Sequence, residues 1–355
     1  QEIIPLSAAS PVNTVPSART VAEDAVLAFT GAAAVSVADR DDNLTGIRLT
    51  VTNGRLFVNI AGGAALSAGA NNSASLSLAG SLAQINAALA TLTYQGVLNF
   101  NGSDTLTVLS TDALGATDTD TVAITVTTVN DVPVNTVPGA QSVAEDTVLA
   151  FSGAAAISAA DVDGNLATTR LTVTNGTLAV TLGTTDATIS AGANNSATLT
   201  LAGTQTQINA ALATLTYQGV LNFNGSDTLT VVSTDSAGTP LADTDTVAIT
   251  VTTVNDAPVN TVPGAQSVAE DTVLAFSGAA VISVNDLDGN LATTRLTVTN
   301  GTLAVTLGTP GATIGPGANN SATLTLAGTQ TQINAALATL TYQGVLNFNG
   351  SDTLT

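Results

Sequence analysis

Hydrophobic and polar residues alternate with a period of two over short stretches of this chain, and the stretches themselves recur. In RLTVTNG, Leu171 and Val173 face one way while Thr172 and Thr174 face the other. TLAVTL places Leu178, Val180 and Leu182 on one face, and ATLTLAG does the same with Leu199 and Leu201. DTLTVVS and DTVAITVTTV supply two further strands. Asn175 and Gly176 tolerate positive φ, so a tight hairpin is predicted between RLTVT and TLAVTL. One segment changes period. In GTQTQINAALATL, Ile208, Leu212 and Leu215 recur at helical spacing, and Thr204 with Gln207 forms a capping-box signature. One short helix is therefore predicted, crossing between strands.

The whole pattern repeats. PVNTVP begins at Pro11, Pro133 and Pro258, giving periods of 122 and 125 residues, and residues 194–230 are identical to 319–355 over 37 positions. Periods of this length are too long for a solenoid and suit separate beads, each with its own core. The reading is an apolar tail at 1–10, one repeat at 11–132, a second at 133–257 and an incomplete third at 258–355. The third stops at Thr355, where the second continues through VVSTDSAGTPLADTDTVAITVTTVND. About seven strands and one helix per repeat, with turns between, predict an all-β fold of tandem β-sandwiches.

Charge narrows the function. Acidic residues number 26 against 6 basic ones, all arginine, for a net charge of -20. A phosphate backbone or an anionic membrane would be repelled by that field. A hydrophobic fraction of 45% is too apolar for a disordered acidic chain. No stretch approaches the roughly 20 apolar residues of a membrane span. The chain begins at Gln1 with no visible signal peptide, as expected of a processed protein or an excerpt. Without His or Cys there is no Ser-His or Cys-His nucleophile pair, and no disulfide framework. Acids that recur at the same point of every repeat do not single out one copy as catalytic, so no enzymatic activity is expected.

Those recurring acids are the most informative feature. DVDGNLATTRLTVTNG at 161–176 returns as DLDGNLATTRLTVTNG at 286–301 and more loosely as DRDDNLTGIRLTVTNG at 39–54. Asp161 and Asp163 are two residues apart on an extended or turning segment and point the same way. Two adjacent carboxylates repel unless a cation lies between them. Oxygen ligands without His or Cys select Ca²⁺ or Mg²⁺. An EF-hand is excluded, because Gly164 stands at the wrong place and no closing Glu follows. The competing reading is that DxDGN is an Asx-turn and no more. The NGSD aspartates, Asp104, Asp227 and Asp352, read as turn chemistry.

SVAEDTVLAF, ADVDG, INAALATLTY, TYQGVLNFNGSDTLTV and DTVAITVTTVNDAPV together resemble the cadherin-like tandem repeats of large bacterial surface adhesins. The resemblance covers the chain except residues 1–10. It implies Greek-key, cadherin- or immunoglobulin-like sandwiches joined end to end, with Ca²⁺ at the junctions. Carried over by position, the first junction would use Glu23, Asp24, Asn130, Asp131, Asp161, Asp163 and Asp235. The second would use Glu145, Asp146, Asn255, Asp256, Asp286 and Asp288, and Asp39 with Asp41 would form at most a half-site. The additional acidic strand-end motif and longer acidic linker of animal cadherins are not cleanly present. Asp118 and Asp120, or Asp243 and Asp245, either substitute for them or begin a strand.

Three functions follow from this reading. The first is a Ca²⁺-stiffened spacer in an extracellular bacterial adhesin, its partners being neighbouring repeats and a cell-surface or matrix ligand. The second is a surface filament or sheath in which Ile3-Ile4-Pro5-Leu6 of one chain adds a strand to the third repeat of the next. The third is a carbohydrate-binding module, which the absence of Trp disfavours.

Overall fold

The computed structural model describes residues 9–183, 186–309 and 311–355; the apolar stretch at 3–6 lies outside them. Among the described residues, three separate hydrophobic cores form along the chain. The first gathers around Phe29, Leu49, Leu76 and Tyr94, the second around Phe151, Leu171, Leu199 and Tyr217, and the third around Phe276, Leu303, Leu324 and Leu337.

The fold is all-β. In the second unit a six-stranded sheet runs in the order Gln141–Ala144, Ala242–Thr252, Gly225–Asp235, Leu166–Thr172, Thr198–Ala202, Thr188–Gly192. Its neighbours are antiparallel except the first pair, which is parallel. A three-stranded sheet of Val148–Ala150, Thr216–Gly219 and Gly176–Ala179 covers the core from the other side. The short pair Val134–Thr136 and Ser158–Ala160 completes the unit. The first unit has the same order, and the chain passes repeatedly from one sheet to another, as in a Greek-key sandwich, with Ala65–Gly69/Ser75–Ala79 and Gly102–Asp112/Thr117–Thr127 as consecutive pairs within one sheet. Among the described residues, each of the first two units holds eleven strand segments rather than about seven. The excess comes from an added strand (Ala65–Gly69 in the first unit), which forms a hairpin with Ser75–Ala79, and from short edge segments on either side of a 3₁₀ turn at Gly31–Ala33.

The alternation is seen in the burial. Leu171, Leu178, Leu199 and Leu201 are fully buried, while Thr174 is exposed. The helix forms at Gln205–Leu212 with both halves of its capping box made, and Ile208, Leu212 and Leu215 enter the core.

The Asn-Gly expectation fails in an instructive way. Leu166–Thr172 and Gly176–Ala179 belong to different sheets, so Asn175-Gly176 marks a corner and not a hairpin. Neither residue has positive φ. Glycine is required there because a Cβ would lie 2.4 Å from Tyr217 Cε2 and 2.6 Å from the Gln218 carbonyl. The same holds for Gly54 against Tyr94 and Gly301 against Tyr342.

Candidate metal centre

The Asp-x-Asp segment is held by the helix. Asn209 accepts from the Ala159 amide at 2.9 Å and donates to its carbonyl at 2.8 Å, so a side chain pairs with the strand as another strand would. One turn earlier, Gln205 accepts from the Asp161 amide at 2.7 Å. Residues four apart share a helix face, and this Gln-x-x-x-Asn pair clamps Ser158–Ala160 and the loop after it. In the third unit Asn334 and Gln330 clamp Val284 and Asp286 in the same way. In the first unit Asn86 clamps Val37, but Leu82 stands where Gln205 would be. The clamp is legible as an i, i+4 spacing but escapes a reading that seeks only apolar periodicity.

The loop then folds on itself. Asp161 is buried, and its Oδ1 accepts from the Asp163 amide at 3.0 Å. Asp163 Oδ2 accepts from the Asp131 amide, in the linker, at 2.8 Å. Glu23 arrives from the first unit: it follows the strand Arg19–Ala22, is 4% exposed, and its Oε1 accepts from the Val129 amide. The result is a triad. Glu23, Asp131 and Asp163 each offer an oxygen, and these oxygens lie within 4.8 Å of one another. Glu145, Asp256 and Asp288 repeat the arrangement at the second junction, with the Asp256 amide 2.5 Å from Asp288 Oδ2.

Three carboxylates this close suffer mutual repulsion. Burial, then Asp163, Glu23, Asp24 and Asp161, push the Asp131 carboxyl above its usual range. Burial, then Asp288, Glu145, Asp146 and Asp286, do the same to Asp256. Glu23 Oε2 and Asp131 Oδ2 are buried and have no hydrogen-bond partner. Unpaired buried carboxylate oxygens facing other carboxylates are a poor arrangement in isolation and a fitting one for a hard divalent cation. The donor set is oxygen only.

The remaining expected ligands serve other contacts. Asp24 and Asp146 sit at positive φ and accept from the amides of Asn99 and Asn222, at 3.0 and 2.9 Å. Asp235 is buried, with Oδ1 accepting from Ala237 and Oδ2 from Leu241 and the Asn130 amide group. Chiefly through Asn130, its carboxyl is held below the usual range. Asn130 thus ties the linker to the second unit, and its amide also meets that of Asn165 at 2.8 Å. Asn255 meets Asn290 likewise at 2.6 Å, and Asp286 Oδ1 accepts from the Asn290 amide at 3.2 Å. Asn165 and Asn290, the last residues of DxDGN, were missing from the expected set.

Asp39 and Asp41 lie at the corresponding end of the first unit. There the Ala9 amide donates to Asp41 Oδ2 at 2.6 Å, so alanine occupies the place of Asp131 and brings no third carboxylate. Asp118 and Asp243 belong to strands and accept from the amides of Asn13 and Asn135. The NGSD aspartates do more than turn the chain. Asp227 is buried and accepts from Thr174, Asn175, Thr228 and the Tyr217 hydroxyl, which fastens the corner between the two sheets.

A domain family described as "Protein GAMETE EXPRESSED 2 domain" matches residues 36–121 and 162–244. No curated protein sequence matches the chain. Among solved structures, protocadherin Gamma B2 extracellular cadherin domains 1-5 are 17% identical, with a TM-score of 0.39. That alignment covers 90% of this chain, which spans 53% of the length of the protocadherin chain. Human CDH23 EC21-23 is 13% identical, with 90% of each chain covered and a TM-score of 0.34. The fibronectin(III)-like modules of Clostridium thermocellum CbhA are 12% identical over 68% of this chain and 94% of theirs, with a TM-score of 0.21. Among the described residues no helix is long and apolar enough to cross a membrane.

Proposed function

We propose that the chain is an extracellular structural and adhesive repeat array, a spacer of a bacterial surface adhesin whose junctions are stiffened by Ca²⁺. The observation that carries this reading is the composition of each triad: one carboxylate from a unit, one from the linker, one from the next unit. Glu23, Asp131 and Asp163 would hold one ion, and Glu145, Asp256 and Asp288 another. A divalent ion supplies the positive charge these oxygens lack. Tying three segments at one point restricts the swing of the linker. With the ion removed, the carboxylates repel and the net charge of -20 favours separation of the units. Sites of this kind in extracellular modules bind Ca²⁺ at roughly 10⁻⁴ to 10⁻³ M. The array extends whatever lies at its ends, and its partners are adjacent repeats together with a cell-surface or matrix ligand.

Small-angle scattering of the chain with Ca²⁺ and with chelator tests the reading. The expected result is a larger and narrower distribution of distances with Ca²⁺, and no Ca²⁺ response when Asp131 and Asp256 are both replaced by Asn. Identical profiles with ion and with chelator would refute it.

A further inference from the structure

The first two units carry four Asn-Gly pairs, at 53–54, 101–102, 175–176 and 224–225. Asparagine is thermolabile, and most so before glycine, whose amide nitrogen no side chain shields. The fold treats the four pairs in two ways. Asn53 and Asn175 stand at the corners between sheets. Their backbone amides donate to Asp104 Oδ2 and Asp227 Oδ2, at 2.9 and 2.8 Å. Their carbonyls accept from the amides of Val97 and Val220, at 3.0 and 2.9 Å. Gly54 and Gly176 are wedged against the rings of Tyr94 and Tyr217. The peptide between Asn and Gly cannot turn there without opening the corner.

Asn101 and Asn224 are exposed, and so are the glycines that follow them. Each stands just before a long strand, Gly102–Asp112 or Gly225–Asp235. Gly102 and Gly225 have φ of 130° and 133°. The nearest atom that an added Cβ would meet is a ring carbon of Phe100 or Phe223, at 3.6 Å in both cases, so the peptide has room to turn. Asn224 also adjoins the junction. Its Nδ2 donates to Glu145 Oε2 at 3.4 Å, and Glu145, 4% exposed, belongs to the second triad.

We propose that Asn224 is a site of spontaneous deamidation that adds a carboxylate to the second junction, and that Asn101 reacts in the same way. The Gly225 amide nitrogen attacks Asn224 Cγ, the Cγ–Nδ2 bond breaks, and ammonia leaves with the proton of that amide, closing a succinimide. Water then opens the ring at either carbonyl. Its oxygen enters the new carboxylate, one proton returns to the amide nitrogen and the other goes to solvent. The product is aspartate or isoaspartate. Beside Glu145 a hydrogen-bond donor becomes an anion, which repels the triad when no cation is present and strengthens its hold on one that is. The reaction is independent of the proposed function; its consequence for Ca²⁺ rests on that reading.

The test begins by ageing the whole chain in mildly alkaline buffer with chelator, followed by peptide mapping with mass spectrometry and enzymatic labelling of isoaspartate. Asn101 and Asn224 should convert at least about tenfold faster than Asn53 and Asn175, where reaction waits on local opening. In denaturant the four pairs should convert alike. Asn224 converting no faster than Asn175 in the folded chain, or outpacing it equally in denaturant, overturns the proposal. Calorimetric titration of Asn224→Asp reads the consequence: Ca²⁺ affinity at one of the two junctions should rise about tenfold, since ligand charge tunes such sites. Unchanged affinity in Asn224→Asp, while Asp256→Asn loses a site, overturns the link to the triad and leaves the proposed function standing. Failure of every chain to bind Ca²⁺ overturns the proposed function and the link together, and the isoaspartate map still decides the reaction.

Discussion

The backbone amide of Asp131 donates to the carboxylate of Asp163 at 2.8 Å, and Asp256 stands to Asp288 in the same relation at 2.5 Å. Each bond joins a linker to the following unit and turns the linker carboxylate towards the glutamate of the preceding one. Under the proposed function, the carboxylates that each bond gathers would make the junction sensitive to ions.

Replacing Asp131 by Asn removes one ligand oxygen and one of the three repelling charges. Two opposite effects on thermal unfolding are therefore expected from a single substitution. In chelator the variant melts higher than the parent chain. In saturating Ca²⁺ it melts lower, and its affinity for the ion falls by about ten- to a hundredfold, the scale on which even the partners of metal ligands act. Calorimetry under the two conditions checks the crossing, and a shift of the same sign in both would remove the ion from the account. At a hundredfold excess over Kd, one bound ion adds about 2.7 kcal/mol to the parent chain.

Acidity should act on the two classes of aspartate in separate windows. Asp131 and Asp256 titrate above the ordinary carboxylate range, so the folded junction binds protons that the unfolded chain has already released. Without Ca²⁺, stability therefore falls as pH rises from about 4 through their raised values. Asp235 is shifted the other way, first by Asn130. Its contribution is present above about 4 and is lost as pH falls through its lowered value. Protons and Ca²⁺ compete for Asp131 and Asp256, so Ca²⁺ affinity measured by calorimetric titration should increase with pH across the upper window.

The corner locked by Asp227 predicts a second set of effects. Tyr217→Phe removes one hydrogen bond to a buried carboxylate and should cost about 1–2 kcal/mol. Gly176→Ala drives a methyl into the Tyr217 ring and the Gln218 carbonyl and should cost about 1–3 kcal/mol, although no positive φ is involved. Burial, then the charge of Asp227, raises the Tyr217 phenol well above its usual value. The unfolded chain releases that proton first, so stability should decline above about pH 10, and Tyr217→Phe should flatten the decline. Denaturant melts across that range measure both.

The helix clamp separates stability from ion binding. Asn209→Ala strands the Ala159 amide and carbonyl and should destabilise the second unit by about 1–3 kcal/mol. Gln205→Ala frees only the Asp161 amide beside the triad. It should weaken Ca²⁺ binding at the first junction with a smaller loss of stability. Equal losses of stability from both variants would mean that the helix only braces the strand.

Much of this protein is local and so was legible in the chain itself. Period-two alternation fixed which faces are buried, because a strand side chain has only two directions to choose from. The Thr204–Gln207 capping box and the spacing of Ile208, Leu212 and Leu215 located the helix, because those contacts lie within one or two turns. The closeness of Asp163 to Asp161 was legible for the same reason. Long-range pairing was not legible. Asn175-Gly176 looked like a hairpin and proved to be a corner, since the sheet that TLAVTL joins is decided by Thr216–Gly219, some forty residues away. Whether a given aspartate faces a triad, as Asp131 does, or closes on backbone amides, as Asp235 does, depends on which main-chain donors the fold brings to it. Hydrogen-bond donors reach only about 3 Å, and no spacing along the chain reveals which of them will be that near.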